Sequence, residues 1–165
     1  MAQDVIHAPI VETVLWPDEL ATQAFAARLA VQPALRNAFI ALHGDLGAGK
    51  TTLVRHLLRA MGVSGRIKSP TYAVVEPYTL PDQAVWHFDF YRFNDPQEWE
   101  DAGFRDIFAS SGLKLVEWPD KAAGCLPTPD LTLQLLVTGE CIRQVTFNAY
   151  SEIGRQLLLA VRGAA

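Results

Sequence analysis

Residues 38–52 read AFIALHGDLGAGKTT, and the architecture turns on this stretch. Ala38 to Leu42 form a short, unbroken apolar run, the pattern of a strand covered on both faces. From Gly44 to Thr51 the chain matches G-x-x-x-x-G-K-[ST] at every fixed position. Beyond it Leu53, Val54, Leu57, Leu58 and Met61 share one helical face, and Gly62 is a good terminator. Strand, glycine-rich loop and helix in that order make a cradle for phosphate. The start of a helix offers unpaired N–H groups and a positive dipole end. Gly44, Gly47 and Gly49 let the backbone curl so that the amides around them, including those of Asp45, Leu46 and Ala48, point inward. In such a loop Lys50 reaches the β- and γ-phosphates, the Thr51 hydroxyl ligates Mg²⁺, and Thr52 lies near the α-phosphate.

Working outward, Val11 to Leu15 reads as a short strand. Pro17 then suits a first helical position, with Asp18 and Glu19 in the first turn and Ala21, Phe25 and Leu29 as the buried stripe. Downstream, Ser69-Pro70-Thr71 reads as an extended loop. Tyr72 to Tyr78 and Val85 to Tyr91 read as strands joined through Leu80-Pro81-Asp82. On the second of these, alternation puts Val85, His87, Asp89 and Tyr91 on one face and Trp86, Phe88 and Phe90 on the other. Asp95-Pro96-Gln97-Glu98 is a capping box opening a helix that Gly103 interrupts. Leu113 to Glu117 is a further strand, stopped by Pro119. Leu131 to Val137 and Ile142 to Asn148 form a hairpin around Thr138-Gly139-Glu140, and Ser151 caps a last helix. These elements predict an α/β class: a three-layer P-loop NTPase-like domain, with a mixed sheet and helices on both faces. One domain is expected over 1–165, with 1–10 as a loosely ordered tail.

A phosphate loop needs an acidic partner to complete a magnesium shell or to orient water. Asp89 and Glu117 each end an apolar strand, where a carboxylate is costly without a partner. His87 shares the face of Asp89 and reads as a hydrogen-bonded structural histidine. Trp118 follows Glu117 and is either core or a stacking surface for a base.

The chain has 165 residues, half of them apolar, and a net charge of −4. That charge argues against a protein that binds DNA or RNA by itself, although Arg55, His56, Arg59, Arg66 and Lys68 form a local basic cluster. Cys125 and Cys141 fit neither a CxxC pair nor a zinc site and read as two buried or half-buried thiols. The N-terminus lacks the pattern of a signal peptide, and no apolar run approaches the ~20 residues of a membrane span, so a cytoplasmic protein is expected.

Together these residues resemble the TsaE family, the ATPase of bacterial tRNA threonylcarbamoyladenosine biosynthesis. GDLGAGKTT at 44–52 is similar to that family's phosphate loop, Ser69-Pro70-Thr71-Tyr72 to its SPT switch, and His87 to Arg92 to its HxDxYR strand. Glu117-Trp118-Pro119 is similar to its EWP element. The resemblance implies ATP and Mg²⁺ as cofactors and the partner proteins TsaD and TsaB, with tRNA reached only through that complex. It implies that Thr51 and Glu117 hold Mg²⁺, that Asp89 supports hydrolysis together with Lys50 and Glu117, and that Ser69, Pro70 and Thr71 form the switch. Trp118, Asp18, Glu19 and Arg143 fall where the family makes further nucleotide contacts.

Three rivals remain at this stage. A small-molecule kinase would need an acceptor pocket and usually an arginine-rich lid, and no arginine cluster appears beyond residues 55–66. A GTPase would carry N-K-x-D and D-x-x-G, which are absent. A non-hydrolysing adaptor would bind ATP without turnover.

Overall fold

The computed structural model describes residues 10–162; the tail expected over 1–10 lies outside the described residues except for Ile10, which instead opens the first strand. Seven strands form one sheet in the order β1-β7-β6-β2-β5-β4-β3. They are β1 (Ile10–Trp16), β2 (Phe39–His43), β3 (Val75–Leu80), β4 (Gln83–Asp89), β5 (Leu113–Glu117), β6 (Leu131–Val137) and β7 (Arg143–Ala149). The middle four, β6, β2, β5 and β4, run parallel, while β3 at one end and β7 and β1 at the other are antiparallel additions. The sheet is therefore mixed, as the two hairpins in the sequence require.

Strand alternation sends the two faces of the sheet into two cores. Ile40, Leu42, Leu113, Leu115 and Val85 enter the larger one, against α1 (Glu19–Ala30), α2 (Lys50–Ala60) and α5 (Glu152–Val161). Phe39, Ala41, Val116 and Phe88 enter the other, with Trp99 of α3 (Pro96–Asp101) and Phe104 of α4 (Phe104–Ala109). The parallel centre thus has helices on both faces. The antiparallel end has them on one. Val11, Leu15 and Leu136 on its bare face are 60%, 64% and 51% exposed.

Several sequence expectations need correction. Pro17 lies outside α1: Asp18 is the cap, its carboxylate accepting from the Ala21 amide at 3.0 Å, so only Glu19 stands in the first turn. The capping box at Asp95 is incomplete, since its side chain accepts from Gln97 N at 2.9 Å rather than from Glu98. The β3–β4 hairpin is displaced from Tyr72–Tyr78 and Val85–Tyr91. A turn from Pro70, whose carbonyl accepts from Val74 N at 2.6 Å, delays β3 to Val75. The Asp89 side chain ends β4 by accepting from the Tyr91 amide at 2.9 Å, an Asx-type turn. Cys125 is half-buried as expected, whereas Cys141 is exposed in the β6–β7 turn, in left-handed backbone at φ 64°. Among the described residues no helix is long and apolar enough to cross a membrane.

Candidate phosphate-binding site

Register in the parallel centre assembles the site. Leu42 of β2 lies beside Glu117 of β5, and Glu117 lies beside Asp89 of β4. The phosphate loop therefore leaves the sheet at the strand ends where both carboxylates stop, the usual place for a ligand in a parallel α/β sheet. Parity finishes the placement, because His87, Asp89 and Glu117 share the face on which Val85 and Leu115 pack toward the α2 side.

The loop takes left-handed backbone at Gly44, Gly47 and Gly49, with φ of 149°, 80° and 107°. At Gly44 a side chain is excluded twice over. Besides the φ, a Cβ would stand 2.7 Å from the Leu135 carbonyl oxygen of β6. Gly49 is the N-cap of α2 and supplies no side-chain cap, and no acidic residue occupies the first turn. The first amides of α2 therefore remain available to an anion.

Lys50 is buried, at 5% exposure. Its ammonium donates to the Gly44 carbonyl and to that of Asp45 at 3.0 Å, and lies 4.2 Å from the centre of the Trp118 ring. Burial lowers its pKa, and the carboxylates of Glu117, Asp89 and Asp45 oppose that shift. Trp118 holds its place with φ at 56°, a conformation uncommon for a bulky residue, and packs on Tyr91 at 5.1 Å between ring centres.

Both oxygens of Glu117 are engaged. Oε1 accepts from the Thr51 hydroxyl at 2.8 Å, and Oε2 lies 2.5 Å from His87 Nε2. Asp89 Oδ1 accepts from Tyr91 N and Oδ2 from the Thr71 hydroxyl at 3.3 Å; Thr71 is in turn 2.8 Å from Ser69 Oγ. Burial raises the Asp89 pKa. The Tyr91 amide opposes that shift, and nearby Glu117 adds to it.

The residue set fits a nucleotide-bound Mg²⁺. Asp89 and Glu117, 5% and 2% exposed, line one cleft with Thr51, whose hydroxyl donates to Glu117. Among the described residues no three acid, histidine or cysteine side chains form a closed metal cage. One or two carboxylates with phosphate completing the shell is how Mg²⁺ is usually held.

Of the remaining expected residues, Thr52 and Trp118 line the same cleft of about 430 Å³, together with Leu46, Gly47, Ala48 and Thr71. Ser69 and Pro70 lead into it. Arg143 also lines it, with Nη1 donating to the Ile142 carbonyl at 3.2 Å and its other two bonds going to the loop. Nε donates to the Ala48 carbonyl at 2.8 Å and Nη2 to that of Gly47 at 3.4 Å. Asp18 and Glu19 are not in this cleft. They lie with Thr52, Cys141 and Arg143 around an adjoining hollow of about 170 Å³. Their carboxylates serve local structure, Asp18 as the α1 cap and Glu19 beside His56 Nε2 at 2.9 Å. Tyr91 and Arg92 line the main cleft and were not singled out as site residues from the sequence. Their signal in the sequence was the HxDxYR segment that they close, directly after Asp89.

Known proteins match this arrangement. A family model described as threonylcarbamoyl adenosine biosynthesis protein TsaE covers residues 16–145. The chain is 40% identical to the tRNA threonylcarbamoyladenosine biosynthesis protein TsaE of Haemophilus influenzae over 119 residues, 72% of this chain and 75% of that protein. It is 34% identical to the Bacillus subtilis protein of the same name, over 67% of this chain and 68% of the other. Among solved structures, the crystal structure of Bacillus subtilis YdiB superposes with a TM-score of 0.73 at 25% identity, covering 94% of this chain and 96% of that one. The matched span runs from Trp16, at the end of β1, to Val145 in β7, and so takes in the phosphate loop, the switch segment and both acidic strand ends. With fold, site and sequence in agreement over that span, the chain belongs to the TsaE family.

Proposed function

We propose that this protein binds Mg-ATP in the cleft above β2, β5 and β4 and hydrolyses it, in support of a TsaD–TsaB complex that carries out threonylcarbamoylation of the adenosine beside the anticodon of tRNAs. The observation that carries the reading is the convergence of Lys50, Thr51, Asp89 and Glu117 on one phosphate loop from the ends of three neighbouring strands. The names of the relatives support the pathway.

In this reading the loop amides and the α2 N-terminus bind the phosphates. Lys50 turns from the Gly44 and Asp45 carbonyls to the β- and γ-phosphate oxygens, exchanging neutral acceptors for charged ones. Thr51 and Glu117 hold Mg²⁺, which when bound neutralises charge on the phosphate oxygens. Asp89, kept in place by Thr71 and Tyr91 N, orients the attacking water from the switch side. Trp118 lies over Lys50, where it shields the ammonium from solvent. The two arginines that line the cleft make their hydrogen bonds to the protein itself, Arg143 to the Ala48, Gly47 and Ile142 carbonyls and Arg92 to the Tyr72 hydroxyl. Slow turnover by the isolated chain is therefore expected, because a cation supplied in trans is worth ~10³–10⁵ in rate.

Calorimetry with Mg-ATP and a phosphate-release assay, each with and without TsaD–TsaB, test the proposal. Binding by the chain alone and turnover that rises with the complex are expected. Lys50→Ala should weaken binding by ~100-fold or more, through loss of charge-assisted bonds worth up to ~3 kcal/mol. Background turnover with the complete complex would refute hydrolysis, and an absence of Mg-ATP binding would refute the whole reading.

A further inference from the structure

His87 is 1% exposed, in the middle of β4, between Leu115 of β5 and Glu76 of β3 in the sheet register. Its Nε2 meets Glu117 Oε2 at 2.5 Å, while its Nδ1 is buried with no hydrogen-bond partner. As packing alone this is a poor choice. A buried polar nitrogen without a partner is destabilising, and an apolar side chain of similar volume on that face would avoid it. The one polar contact the ring makes is with the carboxylate whose other oxygen accepts from Thr51. Glu117 has torsional freedom about its side chain, and a carboxylate fixed at both oxygens keeps one orientation.

We infer that His87 is a positioning residue: it holds Glu117 Oε2 so that Oε1 stays aimed at Thr51, where the metal bound with the nucleotide would be received. The inference rests on the Mg-ATP reading above. A carboxylate can only accept, so with Glu117 in that form the contact is made by the Nε2–H tautomer, in which Nδ1 is a bare acceptor. An unpaired buried acceptor is commoner in proteins than an unpaired buried N–H. The histidine stands to Glu117 as outer-shell partners stand to metal-binding carboxylates elsewhere, and removing such partners typically costs 10–100-fold in metal affinity. Asp89 has no equivalent support from a buried side chain. Its carboxylate is held by a backbone amide and by the half-buried Thr71 of the loop before β3. The two acids therefore divide the work, with Glu117 fixed from within the sheet and Asp89 held from the loops that flank the end of β4.

The test compares two polar replacements that differ in reach. The amide nitrogen of His87→Gln can arrive where Nε2 now stands; that of His87→Asn stops about where Nδ1 is. ATP affinity is measured by calorimetry in excess Mg²⁺ and in EDTA, on the full chain, with thermal unfolding alongside. His87→Asn should reduce the ratio of the two affinities by about 10-fold, leaving EDTA binding within ~2-fold of the parent. His87→Gln should retain most of the ratio. If His87→Asn weakens both conditions equally, if the two variants behave alike, or if neither changes the ratio, the inference is overturned while the Mg-ATP reading stands. If the parent chain itself shows no Mg²⁺-dependent binding, the reading falls and the inference with it. Should His87→Asn fail to fold, His87→Gln still decides: loss of the ratio in that folded variant overturns the role assigned to the Nε2 donor.

Discussion

The two walls of the phosphate cleft reach left-handed backbone by different means. On the loop wall the positive φ values fall on Gly44, Gly47 and Gly49, where they carry no steric penalty. On the switch wall the equivalent position is Val74, a β-branched residue at φ 68°, immediately after the turn closed by the Pro70 carbonyl. Such a residue in left-handed backbone stores strain of order 1–3 kcal/mol. The loop wall is further braced from outside by the Arg143 guanidinium, which donates to the Ala48 and Gly47 carbonyls. The switch wall is tied to β4 by the Asp89 amide donating to the Val74 carbonyl at 2.8 Å and by one long side-chain bond, Thr71 to Asp89 at 3.3 Å, and it carries the 84% exposed Tyr72 with Arg92 stacked on its ring. One wall is built in advance for phosphate. The other stores backbone strain at Val74, which under the proposed reading is available to a bound nucleotide.

The comparison breaks most sharply at Gly44. Gly44→Ala combines an unfavourable φ with a Cβ set 2.7 Å from a backbone carbonyl that cannot yield cheaply. A loss of about 3 kcal/mol in unfolding free energy is expected, together with loss of nucleotide binding. Gly47→Ala is the control. A Cβ there meets nothing within 4 Å, so only the backbone term of about 1 kcal/mol remains. Equal effects at the two sites in urea unfolding would mean that the loop is not moulded against β6.

Next in size is the brace. Arg143→Ala should lower Mg-ATP affinity about 10-fold, through loss of order in the loop rather than of a direct phosphate contact. Arg143→Lys should not restore it, because an ammonium donates from a single point, whereas the guanidinium sets Nε on the Ala48 carbonyl and Nη2 on that of Gly47. Rescue by lysine, read by calorimetry, would instead make the residue a simple cation facing the nucleotide.

A smaller effect of opposite sign is expected on the switch wall. Val74→Gly should leave the fold unchanged or gain up to ~1 kcal/mol, since relief of strain outweighs the added freedom of the unfolded chain. A loss of more than ~1 kcal/mol would show that the packing of Val74 against the second core dominates, and that the switch wall is no less settled than the loop.

The asymmetry also explains what could be read from the sequence. The loop wall was legible because its chemistry is local: glycine, lysine and threonine at fixed spacing announce a conformation. The boundaries of β5 and β6 were legible as apolar runs ended by Pro119 and Gly139. The switch wall was not. Alternating aromatics continue past Asp89 to Tyr91, and only the bond from Tyr91 N to the Asp89 side chain ends the strand early. The bonds from Arg143 to the loop carbonyls were hidden in the sequence, because they join residues 95 and 96 positions apart. The His87–Glu117 pair was equally hidden, since it depends on β4 lying beside β5 in one particular register.

The smallest predicted effect concerns Asp89, where function and stability oppose each other. Burial raises its folded-state pKa above the ordinary 3.8. Between the ordinary and the raised value the folded chain holds a proton that the unfolded chain has released. Stability therefore falls as pH rises through that window, and the penalty is complete above it. Asp89→Asn keeps an oxygen for the Tyr91 amide and removes the buried charge. In EDTA and without nucleotide, the variant should unfold at a higher temperature than the parent at neutral pH, by the equivalent of about 0.5–1 kcal/mol. The gap should close as pH is lowered toward 3.8. Turnover should fall even as stability rises. A gap that is constant with pH would place its origin outside the carboxylate charge, and Asp89 would then be an ordinary strand-end residue rather than an acid kept in an unfavourable setting for the sake of the cleft.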